Sequence, residues 1–150
     1  MPTLSGILER ANQRGRLAGL PYAGALTPAE AHFIWGHAPG AQLVDVRSHA
    51  EWELVGEIAG AVQLEWQVYP GWQPNPYFVA QLRQQVDAQA LVMFICRSGG
   101  RSHQAAMAAQ QASYTEVYNV LEGFEGEKGA DGRRGQNSGW KTAGLPWKHR

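Results

Sequence analysis

The residues with the most chemical character lie in one short run, Cys96-Arg97-Ser98-Gly99-Gly100-Arg101-Ser102, which holds the chain's only cysteine. A free thiol has a pKa of ~8.5, and it is the thiolate that attacks electrophiles. The neighbours of Cys96 favour negative charge on sulfur. Arg97 and Arg101 flank it, and no carboxylate follows before Glu116. Gly99 and Gly100 let the backbone curl until successive N–H groups face inward as an anion nest. The segment beyond starts a helix, whose unpaired first amides and positive dipole end point back at the loop. A lone cysteine after an apolar strand is otherwise a small buried hydrophobe. Two arginines, paired glycines and a helix start have no use around an inert one. The expected chemistry is nucleophilic, with Cys96 as the attacking group.

The elements that must position this loop can be read around it. Leu91-Val92-Met93-Phe94-Ile95 is a continuous apolar run, which predicts a buried strand delivering Cys96 at its carboxyl end. A helix is expected from Ser102 to about Ala112. Tyr22 to Leu26, Gln42 to Val46, Val62 to Leu64 and Glu116 to Asn119 read as further strands. Thr27-Pro28-Ala29-Glu30 supplies a cap, a proline at the first helical position and a glutamate at the third, predicting a helix to about Gly36. His49 to Leu54 reads as a short helical turn, and Tyr77 to Val86 as a helix with Phe78, Val79 and Leu82 facing inward. Strands alternating with helices predict an α/β fold, a central parallel sheet with helices on both faces.

Leu4, Ile7, Leu8 and Ala11 recur at helical spacing, so residues 1–20 read as a helical arm docked on the domain. Arg14-Gly15-Arg16 and Gly19 are expected to end it. Tyr69 to Pro76 is rich in breakers and reads as a loop. Trp66, Tyr69 and Trp72 either pack or rim the site. Gly123, Gly126, Gly129, Gly132 and Gly135 recur every third residue, but the run is short and lacks proline, so collagen is rejected. A flexible charged surface loop over 125–139 is expected instead, followed by a tail, 140–150, anchored by Trp140 and Trp147.

The 150 residues suit a single domain, 1–150, with a sizeable core. Thirteen Lys and Arg balance 13 Asp and Glu, so no bulk attraction to nucleic acid or to an anionic membrane is expected. One cysteine excludes an intrachain disulfide and a resolving cysteine. His32, His37, His49, His103 and His149 show no ligand spacing with Cys96, so neither a metal nor a cofactor is expected. No apolar run approaches the ~18 residues of a membrane span, and no apolar signal core opens the chain. The cytoplasm, where a free thiol stays reduced, is the expected location.

From about Leu26 to Trp147 the chain resembles the rhodanese-like sulfurtransferases. Leu43-Val44-Asp45-Val46-Arg47 is similar to that family's strand ending in Asp-Val-Arg. Glu51-Trp52 and Gly56-Glu57-Ile58-Ala59-Gly60-Ala61 are similar to its Glu-aromatic and Gly-His-Ile-x-Gly-Ala segments. Cys96 to Arg101 resembles its active loop, and Val120-Leu121-Glu122-Gly123-Phe124 with Trp140 and Gly144-Leu145-Pro146 resembles its C-terminal signature. Two positions depart from the pattern: Glu57 stands where the family has histidine, and Gln63 stands for its asparagine, one place late. Both read as local packing changes.

The resemblance implies a two-step sulfur transfer with no cofactor. Cys96 takes the outer sulfur of a small anionic donor such as thiosulfate and becomes a persulfide. Cyanide or a thiol, on a small molecule or a protein, then removes it. Two alternatives stay open: a sulfur carrier or regulatory module without general turnover, and a cysteine phosphatase or arsenate-handling enzyme. Related phosphatases share the cysteine, the nest and the closing arginine on a loop one residue longer; here four residues separate Cys96 from Arg101. Arg97, Ser98, Gly99, Gly100, Arg101 and Ser102 are the expected anion- and persulfide-binding loop. Arg101 is expected to stabilise the thiolate and to pair with Asp45, and Arg97 to project outward and recruit anions. Asp45 supports the loop, and Arg47 is a candidate second anion contact at the same strand end. Ser98 and Ser102 can bond the sulfur or cap the following helix, capping being the expected role. His103 is expected at the surface.

Overall fold

The structure, a computed structural model, describes residues 2–150. Its centre is a five-stranded, wholly parallel sheet in the order β1-β7-β6-β2-β3. The strands are β1 (Gly24–Leu26), β2 (Gln42–Asp45), β3 (Val62–Gln63), β6 (Val92–Ile95) and β7 (Val117–Val120). Five helices join and cover them: α1 (Leu4–Ala18), α2 (Pro28–His37), α3 (His49–Leu54), α4 (Phe78–Gln85) and α5 (Gly100–Gln111). Among the described residues, no helix is long and apolar enough to cross a membrane.

Strand parity sorts the core into two layers, because successive side chains leave a strand on opposite faces. Leu43, Met93, Ile95, Tyr118 and Val120 pack with Ile7 and Ala11 of α1 and Ala31 and Ile34 of α2. Val44, Val92, Phe94 and Val117 pack with Phe78 and Leu82 of α4 and Ala105, Ala106 and Ala109 of α5. Cys96 continues the parity of Val92 and Phe94, so its side chain goes to the α5 layer.

Two helix starts carry a capping box, and the first of them is the one expected from Thr27 and Glu30. Thr27 accepts from the Glu30 amide while Glu30 accepts from the Thr27 amide. Ser48 and Glu51 repeat the device at α3. Of the two stop signals read for the N-terminal helix, Gly19 ends it and Arg14-Gly15-Arg16 does not. The helix runs through Gly15 and ends at Gly19, whose φ of 69° is left-handed. Gly15 is there for closeness: a Cβ on it would lie 3.0 Å from the Gly24 Cα. A Cβ on Gly24 would lie 2.3 Å from the Ala11 carbonyl oxygen. Arg14 then fixes the helix by a two-pronged contact with Glu30, at 2.7 and 3.0 Å.

The stretch Tyr69 to Pro76, expected as a loop, supplies the turn and second strand of a small antiparallel hairpin, β4 (Gln67–Val68) with β5 (Gln73–Pro74). Gly71, at φ 90°, makes the turn that pairs these strands, and the hairpin carries Tyr69 and Trp72.

Gly24→Ala should cost about 1–3 kcal/mol, because backbone, not a side-chain tip, blocks the new methyl. Gly36→Ala, with open space around the helical glycine, should be neutral or stabilising by up to about 1 kcal/mol. Urea midpoints of the two variants check this contrast.

Candidate active site

The carboxyl ends of β2, β6 and β7 meet at one edge of the sheet, where open α/β sheets bind ligands. Cys96 leaves the end of β6 with its side chain buried, at 1 % exposure. The Gly99 amide donates to Sγ at 3.1 Å. Gly99 adopts φ 117°, a conformation L side chains rarely take, and this turn aims its N–H inward. Helix α5 starts immediately afterwards, so its first amides, which have no intrahelical partner, gather at the same loop.

The outer side of the loop is clamped. The Phe124 amide donates to the Cys96 carbonyl at 2.8 Å, and the Glu125 and Gly126 amides donate to the Arg97 carbonyl at 3.0 and 3.2 Å. This approach needs Gly123, because a Cβ there would stand 2.5 Å from the Arg97 carbonyl carbon and 2.6 Å from the Cys96 oxygen.

Ser102 does not cap the helix, contrary to expectation. It lies inside the first turn, and its hydroxyl reaches Sγ at 3.2 Å, the Gly99 carbonyl at 3.1 Å and Asn119 Oδ1 at 2.6 Å. One hydroxyl proton faces three acceptors, so a thiolate takes it only when Asn119 or Gly99 releases it. The cap position itself is Gly99, and Ser98 sits half-buried in the loop without capping.

The charges are distributed differently from the sequence expectation. Arg101 pairs not with Asp45 but with Glu51, at 2.6 and 3.0 Å through both terminal nitrogens. The α3 cap brings Glu51 there, while Asp45 is already filled. Arg47 donates to both Asp45 oxygens, at 3.0 and 2.8 Å, and to the Gly56 carbonyl at 2.9 Å. Both partners are fully buried, and the Arg47 guanidinium lies 4.0 Å over the Phe124 ring. Arg47 is therefore no anion contact; it buttresses the residue that clamps the Cys96 carbonyl. Burial pushes the Glu51 carboxyl up, but Arg101 and the Ser48 donors outweigh it and hold Glu51 below the usual carboxylate range. Burial likewise works against the Arg101 charge, and Glu51 more than restores it. Arg97 does project outward, half-exposed, with Glu125 at 3.2 Å.

Sequence reasoning missed Asn119 and Tyr22 as polar neighbours, and it placed His103 at the surface. His103 is half-buried, and its Nδ1 shares a 2.6 Å hydrogen bond with the Tyr22 hydroxyl. Burial pushes the Tyr22 phenol up to about 12, against a smaller opposing pull from Asn119. Of the two substituted positions, Glu57 takes Arg150 as its partner, and the Gln63 side chain accepts from Arg150 at 2.8 Å. Trp66 does not rim the site; it packs edge-on against Phe78 and bonds Gln104.

Beside the loop opens a cleft of about 490 Å³, lined by Arg97, Arg101, Glu51 and Glu125 and by the apolar Leu54, Val55, Tyr69 and Trp72. It falls in the size range of small-molecule sites.

Removing one partner of the buried pair leaves the other charged and unpaired, so Arg47→Met should cost about 3–5 kcal/mol in chemical denaturation. The Tyr22 phenol has a folded pKa of about 12, above the ordinary 10. Its contribution to stability is therefore complete below pH 10 and is lost as pH rises toward 12. The stability difference between the wild type and Tyr22→Phe should shrink across that window, read as urea midpoints against pH.

A family model described as a rhodanese-like domain matches residues 31–130. An uncharacterised protein of Rickettsia conorii is 34% identical over 111 residues, covering 71% of this chain and 81% of its own length. The crystal structure of Rv0390 from M. tuberculosis matches with a TM-score of 0.79 at 42% identity, over 86% of this chain and 99% of that one. The solution structure of the polysulfide-sulfur transferase homodimer from Wolinella succinogenes matches with a TM-score of 0.58 at 19% identity, over 95% of this chain and 85% of that one, a likeness of fold. The matched span runs from α2 through the Cys96 loop to the segment that clamps it, and on this evidence the chain belongs to the rhodanese-like domain family.

Proposed function

We propose that the protein is a sulfurtransferase that carries sulfane sulfur on Cys96. The Cys96 thiolate attacks the outer sulfur of an anionic donor such as thiosulfate. A new S–S bond forms at Sγ, the donor's S–S bond breaks, and its electron pair leaves with the departing group. A thiol or cyanide acceptor then attacks the outer sulfur and returns Cys96 to the thiolate.

The observation that carries this reading is the Gly99 amide donating to Sγ at 3.1 Å in a loop that ends at the start of α5. Amides fixed in advance around an anionic sulfur stabilise it in both half-reactions without reorganising. Ser102 adds a hydroxyl at 3.2 Å. Two further features favour sulfur over phosphate. Four residues separate Cys96 from Arg101, giving a ring suited to one outer sulfur atom. Both terminal nitrogens of Arg101 are taken by Glu51 and are not held over the loop for a tetrahedral oxyanion. In this reading Arg97, Ser98 and Gly100 complete the loop, while Asp45 and Arg47 support it from behind.

Intact-mass analysis after exposure to sulfane-sulfur donors, thiosulfate among them, should show one added sulfur on the wild type and none on Cys96→Ser. Ser102→Ala should slow loading roughly tenfold or more. Loading of Cys96→Ser at the full rate, or turnover of an aryl phosphate with no persulfide formed, would overturn the assignment.

A further inference from the structure

The cleft beside the Cys96 loop has two properties that a site for a small inorganic dianion does not need. First, its charges are already matched. The two arginines that line it face two carboxylates, Arg101 on Glu51 at 2.6 Å and Arg97 on Glu125 at 3.2 Å. A dianion entering there gains no free cation. It must displace a carboxylate or stand beside two of them in a partly desolvated space, where like charges repel more strongly than in water. Second, its remaining walls are apolar and open. Leu54, at the end of α3, is 81 % exposed, and Tyr69 and Trp72 on the β4–β5 hairpin are 53 % and 42 % exposed. The two rings meet edge to face at 5.4 Å, and the Arg101 guanidinium lies 5.1 Å from the Trp72 ring.

Large side chains left in water in the lining of a concave space, next to the Cys96 loop, mark a binding surface. Leu54 and the hairpin aromatics together offer an apolar body a lining to pack on, and the Arg101 guanidinium over Trp72 adds a cationic edge to that lining.

We infer that the cleft selects an organic sulfur donor: a monoanion whose sulfane sulfur hangs from an aromatic or similarly bulky apolar body lodged against Leu54, Tyr69 and Trp72. This rests on the sulfur-transfer reading and names its substrate class. The transfer balances without any outside oxidant or reductant. With benzenethiosulfonate as the probe, the Cys96 thiolate bonds to the terminal sulfur, the donor's S–S bond breaks, and the pair leaves on benzenesulfinate. The products are the Cys96 persulfide anion and one sulfinate anion. No proton needs to move.

The test measures the rate of Cys96 loading by intact mass with three donors of one chemistry: thiosulfate, methanethiosulfonate and benzenethiosulfonate. The aromatic donor should load at least about tenfold faster than either of the others at equal subsaturating concentration. In Leu54→Ser and in Tyr69→Ser the ratio of the aromatic to the thiosulfate rate should fall at least threefold, the scale of a lost apolar contact. Both positions are more than half exposed, so folding is not at issue. Equal loading by all three donors, or a ratio that neither variant moves, overturns this inference and leaves the sulfur-transfer reading standing. Absence of loading by every donor overturns both.

Discussion

The site depends on where the carbonyl groups of Cys96 and Arg97 point. Each peptide unit carries its donor and acceptor on opposite sides, so a loop can present N–H groups inward only if its carbonyls find partners outward. Here the amides of Phe124, Glu125 and Gly126 provide those partners. The loop and the segment after β7 are thus one hydrogen-bonded object, and Gly123 is the point of closest approach. Without that clamp the loop carbonyls would turn toward sulfur and repel any negative charge on it.

Around this object two arginines have separate duties. Arg47 is buried with Asp45 beneath the clamp and presses on Phe124. Its work is mechanical, since a fully enclosed ion pair adds little net stability but is expensive to break. Arg101 is held with Glu51 at the edge of the cleft, where the two form its polar base. The division keeps the cations from competing for one acid and leaves the cleft electrically balanced.

Much of the fold was legible in the sequence because it follows from local rules. The short apolar run before Cys96, followed by a glycine-bearing loop, reads as a buried strand, and parity then decides which layer the sulfur enters. Thr27 and Glu30 announce α2 through a contact three residues apart, which no distant part of the chain can alter. The capping pair Ser48 and Glu51 could have been read in the same way, and it would have pointed to Glu51 as a positioned carboxylate. What stayed hidden depends on residues far apart in the chain. Asn119 reaches Ser102 across 17 positions, and Arg101 reaches Glu51 across 50. Gly15 reads locally as a helix end, yet it is a helical residue placed for contact with Gly24. The hairpin was obscured because its turn residues dominate so short a pair of strands.

Helix α1 has a consequence for the molecule's company. Strand β1 is the outermost on its side, and its Ala25 carbonyl accepts from Arg14 of α1 at 3.0 Å. An uncovered border strand offers its backbone as a template to any passing chain. With Gly15 seated against Gly24, the helix lies close on that border and occupies part of its free bonding capacity. Proteolytic trimming ahead of Gly19 would strip this guard together with the core residues Ile7 and Ala11, laying the border strand's backbone open to neighbours that could join it edge to edge.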